Sequence, residues 1–511
     1  MRVLGCGRVR RLGAAVAALS YSVLAFAVSA AAAPRSNDPA DFRWENGAIV
    51  HAQRMRRFPD ADAGSQATPR VIPQREIDFD PSGLIATYQP NGPTQTGSNP
   101  FFQSLGTNGR TCLTCHQPQN GWTVSAASVQ ARFYASFGRD PIFRIVDGAT
   151  CPTDDVSTLG AKLQAYRLLL SKGLIRIGLP MPSPTQFEVV SVDDPYHCNT
   201  NPVTGLTSPT TGMVSVYRRP LPATNLGFVT AIMWDGREPT LASQAKDAAL
   251  GHAQANAAPS DRQLQQIVGF ESGTYSAQLF DDKARYLDKA GAAGGPIKLS
   301  QLITSFFIGI NDPFGLNPQH TAFTSIIFNL YDSWAKLSGR NETTDARKAV
   351  ARGQKIFDTM PINISGVAGI NDALKEANVS GSCGTCHNTP NVGDHSLKTP
   401  LDIGVADAGI NSPPGLDISD LPVFTLQCIS GPLAGKTFIV TDPGRALISG
   451  NCADIGKVKG PILRGLAARA PYFHNGSAAS LMDVVNFYDQ RFGIGFTEQQ
   501  KRDLVAFLKT L

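Results

Sequence analysis

The 511-residue sequence lacks a basic tract, and beyond Ala33 it lacks any apolar run long enough to cross a membrane. Lys and Arg number 46 against 41 Asp and Glu, a formal net charge of +5. Four arginines lie between Met1 and Ala33, a segment that contains no acidic residue, so the rest of the chain carries about +1. These absences argue against nucleic acid as a partner and against a membrane span in the mature chain.

The segment from Met1 to Ala33 has the pattern of an export signal. Basic residues precede a stretch of mostly Ala, Val and Leu at 12–29, and the three alanines at 31–33 offer a cleavage site. We therefore predict a signal peptide over residues 1–33 and a periplasmic or secreted protein.

The pattern C-x-x-C-H occurs twice, at residues 112–116 and 383–387. It is typical of c-type haem attachment, because two thiols must reach the vinyl groups of one porphyrin while the adjacent His binds the iron. A redox-active cysteine pair does not need the His, and a zinc site needs a second ligand pair nearby, which neither motif has. The sequence predicts two covalently bound haem c groups with their irons. The residues that attach them and bind iron are Cys112, Cys115, His116, Cys383, Cys386 and His387.

Four of the other five cysteines remain after the signal peptide, since Cys6 leaves with it. Export places them in an oxidising compartment, where an even number favours disulfides. We predict the bonds Cys151–Cys198 and Cys428–Cys452; the alternative is four buried thiols.

The distance between the two haem motifs predicts one haem domain for each, at residues 99–341 and 342–511. Residues 34–98 are rich in Pro, Asp, Gln and Gly, which predicts an extended N-terminal arm, wrapped on the body or partly disordered. The predicted fold class is mainly α, with two cytochrome c-like haem domains and small inserted β-hairpins.

Hydrophobic periodicity and capping residues predict the main elements. Helices are expected over Ser125–Phe137 and Thr158–Ser171, from about Glu342, and after a cap at Thr497. Strands are expected in two hairpins, Phe187–Val192 with Met213–Tyr217 and Val423–Gln427 with Thr437–Val440.

Two further segments carry a family resemblance. The first is Trp234-Asp235-Gly236-Arg237, and the second runs from Lys459 through Arg464 to the Pro-Tyr-Phe-His-Asn-Gly-Ser sequence at 471–477. Together with the haem motifs they resemble the bacterial di-haem cytochrome c peroxidase superfamily. That superfamily includes MauG-type enzymes, which oxidise a protein substrate, and rubber oxygenases. The resemblance covers about residues 99–511.

The resemblance implies different roles for the two haems. Peroxide or oxygen would meet the iron of the N-terminal haem, bound by His116, and the C-terminal haem, bound by His387, would store or relay electrons. Trp234, flanked by Arg237, would be the electron bridge between them; a buried core tryptophan is the alternative. No His follows His116 closely, so the N-terminal haem is expected to keep an open face.

The sixth ligand of the C-terminal haem is expected from one of two residues. Tyr488 lies fourteen residues after His474, where the superfamily places Met and MauG-type enzymes place Tyr. His474 itself competes, since rubber oxygenases use a His in this region. Met482 is a third choice.

The sequence departs from the family at the position of the peroxidases' catalytic Glu, which is Gln254 here. An amide cannot accept and return a proton near neutral pH. His252 is two residues away and has a suitable ordinary pKa, so it is the candidate for proton transfer. The predicted catalytic residues are therefore Trp234, Arg237, His252 and Gln254.

A calcium ion between the domains is typical of the family. The carbonyls of Arg469 and Pro471 fall at two of its ligand positions, but Arg219 replaces the expected Asn. A cation beside calcium is unfavourable. The sequence leaves calcium open as a cofactor and predicts no site for it.

The function predicted from these features is a periplasmic di-haem c oxidoreductase. It would reduce hydrogen peroxide at the N-terminal haem, with electrons from a small donor protein such as a cytochrome c or cupredoxin. The alternatives are a di-haem oxygenase acting with dioxygen, a MauG-like oxidase of a protein or organic substrate, and an electron-transfer cytochrome without enzymatic activity.

Overall fold

A computed structural model describes residues 44–45, 48–49, 71–207, 212–315, 317 and 319–511. The chain divides into two units, Met1–Ala63 and Gly64–Leu511. In the first, the described residues form strands β1 (Trp44–Glu45) and β2 (Ala48–Ile49), which pair antiparallel. The predicted signal peptide lies outside the described residues.

Twelve helices are present among the described residues. They are α1 (Ala126–Ser136), α2 (Leu159–Ala165), α3 (Arg167–Lys172), α4 (Leu241–Gly251), α5 (Asp261–Gly273), α6 (Pro296–Gln301), α7 (Glu342–Thr359), α8 (Asn371–Leu374), α9 (Cys383–Cys386), α10 (Ala446–Ser449), α11 (Leu481–Phe492) and α12 (Glu498–Leu508). Side chains cap two of the helices that the sequence predicts. At α1 the Ser125 side chain accepts a hydrogen bond from the Ser128 amide, and at α12 Thr497 forms a capping box with Gln500. The chain leaves α3 at Gly173, whose φ of 62° is left-handed.

The strands after the first two form small antiparallel sheets. They are β3 (Val71–Ile72), β4 (Arg75–Asp80), β5 (Gly83–Tyr88), β6 (Thr94–Gln95), β7 (Ile175–Pro180), β8 (Phe187–Asp193), β9 (Met213–Arg218), β10 (Tyr275–Asp281), β11 (Arg285–Tyr286), β12 (Ile362–Ser365), β13 (Asn378–Gly381), β14 (Val423–Cys428) and β15 (Thr437–Val440). Helix makes up 31% and strand 17% of the structure, so the content is mixed, and the mainly α prediction is confirmed only in part. The inserted hairpin β14–β15 forms as predicted. The cytochrome c-like character of the two halves and their boundary stay predictions.

The predicted hairpin between β8 and β9 is wrong. β9 pairs with β7, and β8 pairs with β14 in the three-stranded order β15–β14–β8. Pairing with β14 buries Phe187 and Val189 against Phe424 and Leu426 in one cluster. A hairpin pattern in the sequence indicates pairing only between neighbouring strands. It therefore could not predict that β8 pairs with a strand in the other half of the chain.

The described part of the predicted N-terminal arm is sheet rather than loose chain. β5 pairs with β4 on one side and with β10 on the other, in the order β11–β10–β5–β4. Residues 75–88 therefore extend a sheet of the body, whereas β3 and β6 pair with each other. The earlier part of the arm is outside the described residues apart from β1 and β2.

One of the two predicted disulfides is confirmed, Cys428–Cys452. The other is not formed, because Cys151 and Cys198 are both free thiols. Both thiols contact the same hydroxyl group. The Thr204 Oγ1 atom lies 3.3 Å from the Cys151 sulfur and 3.8 Å from the Cys198 sulfur.

The largest core cluster joins α7 and α12 around Phe357 and Phe507. The helices approach closely because position 353 is Gly: a Cβ there would overlap the backbone oxygen of Asp503. In the described part of the chain, no helix combines the length and apolarity that a membrane crossing requires.

Gly353→Ala should therefore destabilise the protein by about 2–3 kcal/mol, because α7 and α12 must separate. Gly269→Ala is the matched control, since Gly269 lies inside α5, where an added Cβ would have nothing within 4 Å. That change should stabilise by about 0.5–1 kcal/mol. Denaturant unfolding followed by circular dichroism measures both, and equal effects of the same sign would contradict this packing.

Candidate haem-binding sites

The first C-x-x-C-H motif forms a tight turn at the wall of a large cavity, here called the first cavity. The Thr111 amide donates to the Thr114 hydroxyl and fixes the turn. Cys112, Cys115 and His116 line the cavity, which holds about 1490 Å³ of space, part of it open to solvent.

The second motif forms α9 at the wall of a separate space, the second cavity. The Ser382 side chain caps α9 by accepting from the Gly384 amide. Cys383, Cys386 and His387 line this cavity, which holds about 1380 Å³. Burial raises the pKa of both cysteines to about 12, so the thiols keep their protons.

Both histidines are held as iron ligands need to be. The Nδ1 atom lies 2.9 Å from the Trp122 carbonyl in His116 and 2.7 Å from the Gly393 carbonyl in His387. A carbonyl only accepts, so Nδ1 carries the proton and Nε2 keeps its lone pair for a metal. Burial lowers the pKa of His116 to about 4, which keeps the ring neutral. With four free thiols and two cavities, the residues present fit two haem groups.

Trp234 and Lys459 each line both cavities, and Trp234 is the aromatic one of the two. Its buried side chain lines both, and its indole Nε1 donates to the Arg219 carbonyl at 2.8 Å. Its ring lies 6.1 Å from that of His474, centroid to centroid, at 61°. Trp234, the residue predicted to be the bridge, therefore lies at the wall of both predicted haem sites.

An internal repeat of backbone conformation contributes residues to both cavities. Residues 225 and 465 are left-handed, 226–228 and 466–468 are 3₁₀ turns, and left-handed residues recur at 233 and 236 and at 473 and 476. Capped helices then begin at Leu241 and Leu481. Trp234 and His474 occupy equivalent positions in these repeats.

The two repeats exchange reciprocal backbone hydrogen bonds. The Arg219 amide donates to the His474 carbonyl at 2.7 Å, and the Lys459 amide donates to the Trp234 carbonyl at 2.8 Å. Arg219 and Lys459 themselves occupy equivalent positions, each the same distance along the chain before its repeat's capped helix. Such a reciprocal pair is the geometry of a two-fold interface, here within one chain.

Of the two residues considered for proton transfer, His252 lines the first cavity and Gln254 does not. His252 lines the first cavity, and its Nδ1 lies 2.5 Å from the Asp147 carboxylate, which also binds Arg110. Burial works against the Asp147 charge, but Arg110 and His252 hold the pKa of that carboxyl below its usual value. Gln254 is not among the residues lining the first cavity; its side-chain oxygen accepts from Asn108 at 3.2 Å.

Glu271 is a cavity residue that sequence reasoning missed. It lines the first cavity, and one of its carboxyl oxygens is buried with no hydrogen-bond partner. Burial raises the pKa of Glu271 to about 8, so the carboxyl is protonated near neutral pH. No motif marks it, since only its burial in the folded chain makes it unusual.

Arg237 lines the first cavity and belongs to a buried ion-pair network. Asp235 accepts from Arg237 at 2.9 Å and from Arg218 at 2.5 Å, and Arg218 also binds Asp442 at 2.7 Å. Burial alone would raise the pKa of both carboxyls, but the Arg218 charge holds both below their usual values. The Trp-Asp-Gly-Arg turn is thereby fixed to the C-terminal half of the chain.

Both candidates for the sixth ligand line the second cavity. Burial lowers the pKa of His474 to about 4, and neither of its buried ring nitrogens has a hydrogen-bond partner in the described chain. Its Nε2 lies 3.6 Å from the Asp442 carboxylate. Burial raises the pKa of Tyr488, which keeps its hydroxyl protonated while no metal is bound. Met482 is not among the residues lining this cavity.

The residues around Arg219 do not fit calcium. Its buried guanidinium donates to the carbonyls of Val124 at 2.5 Å, Lys172 at 2.8 Å and Arg469 at 2.9 Å. The Arg469 carbonyl, one of the expected calcium ligands, is therefore already bound to a cation of the chain itself. Burial and the nearby Arg469 charge lower the pKa of Arg219 to about 9.

Mass spectrometry of the mature protein should show the added mass of two haem groups. Cys112→Ala with Cys115→Ala should leave one, because only the second motif can then form thioethers. Cys151→Ala with Cys198→Ala is the matched control and should keep both. Loss of haem in the control, or one haem in the unchanged protein, would contradict the assignment.

Comparison with known proteins gives sequence matches over part of the chain. No protein-family model matches. A cytochrome-c peroxidase of Pseudomonas sp. (strain SCT) is 32% identical over 146 residues, which are 26% of this chain and 37% of that protein. Another, of Denitromonas iodatirespirans, is 32% identical over 141 residues, 26% of this chain and 36% of that protein. The cytochrome c551 peroxidase of Nitrosomonas europaea is 34% identical over 99 residues, 17% of this chain and 30% of that protein.

Among solved structures, a MauG-like protein associated with microbial copper homeostasis aligns over 88% of this chain and 95% of its own. The TM-score is 0.36 and the identity 16%, too low to carry an argument. The chain spans little more than a third of the length of the curated relatives it matches. Over that span, the likeness to cytochrome-c peroxidases confirms the resemblance to the di-haem peroxidase superfamily that the motifs predict.

Proposed function

We propose that the protein is a periplasmic di-haem c oxidoreductase that reduces hydrogen peroxide in the first cavity. Electrons would come from a small donor protein, a cytochrome c or cupredoxin, through the second cavity and Trp234. The observation that carries the proposal is the placement of Trp234, which lines both cavities. The similarity to cytochrome-c peroxidases supports peroxide as the substrate.

A haem held by Cys112, Cys115 and His116 would supply the iron that binds peroxide and the electrons that cleave its O–O bond. The chain supplies the proton transfer that cleavage needs. The ionised Asp147 accepts a hydrogen bond from His252 Nδ1, which leaves the lone pair on Nε2. His252 can therefore take a proton from one oxygen of a ligand in the first cavity and return it to the other.

Trp234 is suited to pass an electron without moving a proton. Its Nε1 proton is held by the Arg219 carbonyl, which accepts a hydrogen bond but is not a base near neutral pH. Loss of an electron from the ring therefore need not wait for loss of the proton.

A second candidate is an oxidase of a protein or organic substrate, of the MauG or oxygenase kind. Tyr488 in the second cavity favours it, because an anionic oxygen ligand stabilises higher oxidation states of iron. Here too the first cavity would bind the oxidant, and Trp234 would connect it to the second.

Steady-state peroxide consumption with a reduced cytochrome c tests the proposal. Turnover is expected from the unchanged protein, and Trp234→Phe should lower kcat at least about tenfold by removing the relay. Trp334→Phe is the matched control, since Trp334 is buried in the α7–α12 core and lines neither cavity. If the protein does not turn over peroxide but consumes oxygen when an organic substrate is present, the peroxidase proposal is contradicted and the second candidate is supported.

His252→Gln should lower kcat/KM for peroxide by about 10²–10⁴-fold, the usual contribution of general acid–base catalysis. His320→Gln, at an exposed position away from both cavities, is its control and should change little. Stopped-flow kinetics measure both. A His252→Gln protein as fast as the control would assign the proton transfer elsewhere.

A further inference from the structure

The wall of the second cavity contains one charged side chain. Among the described residues that line it, Lys459 is the only one with a formal charge at neutral pH. Burial lowers the pKa of His387 and of His474, so both rings are neutral. A haem group carries two propionate carboxylates, and a carboxylate enclosed by this wall meets no other cation. Lys459 is therefore the place where charge in the cavity can be balanced.

The ammonium group of Lys459 has no contact partner in the described part of the chain. Asp394 acts on it through its charge, which raises the pKa of Lys459, but burial has the larger effect and lowers that pKa. Lys457 is similarly buried and is paired, since its Nζ lies 3.3 Å from Asp454 and 3.6 Å from Asp372. A buried ammonium without an anion in contact is unfavourable. The position of Lys459 thus favours a ligand that supplies a carboxylate.

Lys459 also lines the first cavity, where the cations of the wall are already bound. Four arginines line that cavity, and each of them donates to oxygen atoms of the chain; they are Arg110, Arg218, Arg219 and Arg237. The backbone of Lys459 is fixed at the junction of the repeats, because its amide donates to the Trp234 carbonyl at 2.8 Å. Its side chain is therefore the one wall cation, among the described residues, that is left to bind a ligand.

We propose that the ammonium group of Lys459 binds a propionate carboxylate of the haem held by Cys383 and Cys386, and so connects that haem to Trp234. Thioethers to the two cysteines fix the vinyl edge of the porphyrin at α9, and the propionates leave the opposite part of the ring. The inference rests on the proposed function, from which it takes the haem in the second cavity but not the substrate.

This assignment makes Lys459 a positioning residue for the relay. Its side chain would bind the edge of the haem, while its backbone amide is bonded to the Trp234 carbonyl. A charge-assisted hydrogen bond to a carboxylate is stronger than a neutral one and also offsets the burial of both charges. One residue thus sets the place of the haem relative to the indole ring.

Resonance Raman spectroscopy of the holoprotein tests the assignment, because the bending frequency of a haem propionate rises with the strength of its hydrogen bonds. Lys459→Met keeps the length of the side chain without the charge and should shift one propionate band to lower frequency. Lys459→Arg keeps the cation and should leave that band near its original position. Lys457→Met is the matched control, since Lys457 lines neither cavity, and it should shift no propionate band.

Unshifted propionate bands in Lys459→Met, with both haems attached, would overturn the proposal. A crystal structure of the unchanged holoprotein identifies the haem, and it decides alone if the variant does not accumulate. The Lys459 Nζ atom should lie about 2.7–2.9 Å from a propionate oxygen of the haem on Cys383 and Cys386. Contact with the other haem alone, or with no propionate, overturns the proposal.

The proposed function fails separately. The predicted band shift without peroxide turnover in the unchanged protein would contradict the function and support the role of Lys459. Peroxide turnover together with unshifted bands in Lys459→Met would support the function and contradict that role.

Discussion

The structure depends on one reciprocal interaction, the pair of backbone hydrogen bonds that joins the repeats at Arg219 with His474 and at Lys459 with Trp234. Backbone groups buried at this junction must be satisfied, and each repeat satisfies the other. The exchange brings Trp234 and His474 into ring contact and puts Trp234 at the wall of both cavities. The repeated turn therefore places one aromatic side chain beside both cavities, which is the placement that the proposed relay requires.

Buried charge secures the same junction. Arg218, almost fully buried, is shared by Asp235 of the first repeat and Asp442 of the C-terminal half. Removing one partner from such a group is far more costly than the net gain of forming it, so the network favours a single arrangement. Arg219 adds a cation that three carbonyls surround. The junction thus contains its own cation, bound to the Arg469 carbonyl that the resemblance assigns to calcium.

Local sequence signals predicted the local features well. The helix after Ser125, the capping box of Thr497 with Gln500 and the β14–β15 hairpin each depend on a few neighbouring residues, and all three form as expected. The partner of β8 could not be read locally, because it lies in the other half of the chain.

The candidate site was predicted in part. The motifs pointed to Trp234 and to the six residues predicted to attach haem, all of which line the cavities. Asp147, Glu271 and Arg218 stand out only through burial in the folded chain, which no motif records. The internal repeat could have been detected in the sequence. Trp-Asp-Gly at 234–236 and His-Asn-Gly at 474–476 each precede a capped helix by the same number of residues, and both helices begin with Leu. Aligning the chain with itself so that these turns coincide would have paired Trp234 with His474.

The most direct test of this account is diffraction from crystals of the mature protein at the iron absorption edge. Two anomalous peaks are predicted, one on each side of Trp234, bonded to Nε2 of His116 and of His387. A single peak, or two irons without the Trp234 ring between them, would contradict the claim that the repeated turn joins two haem sites.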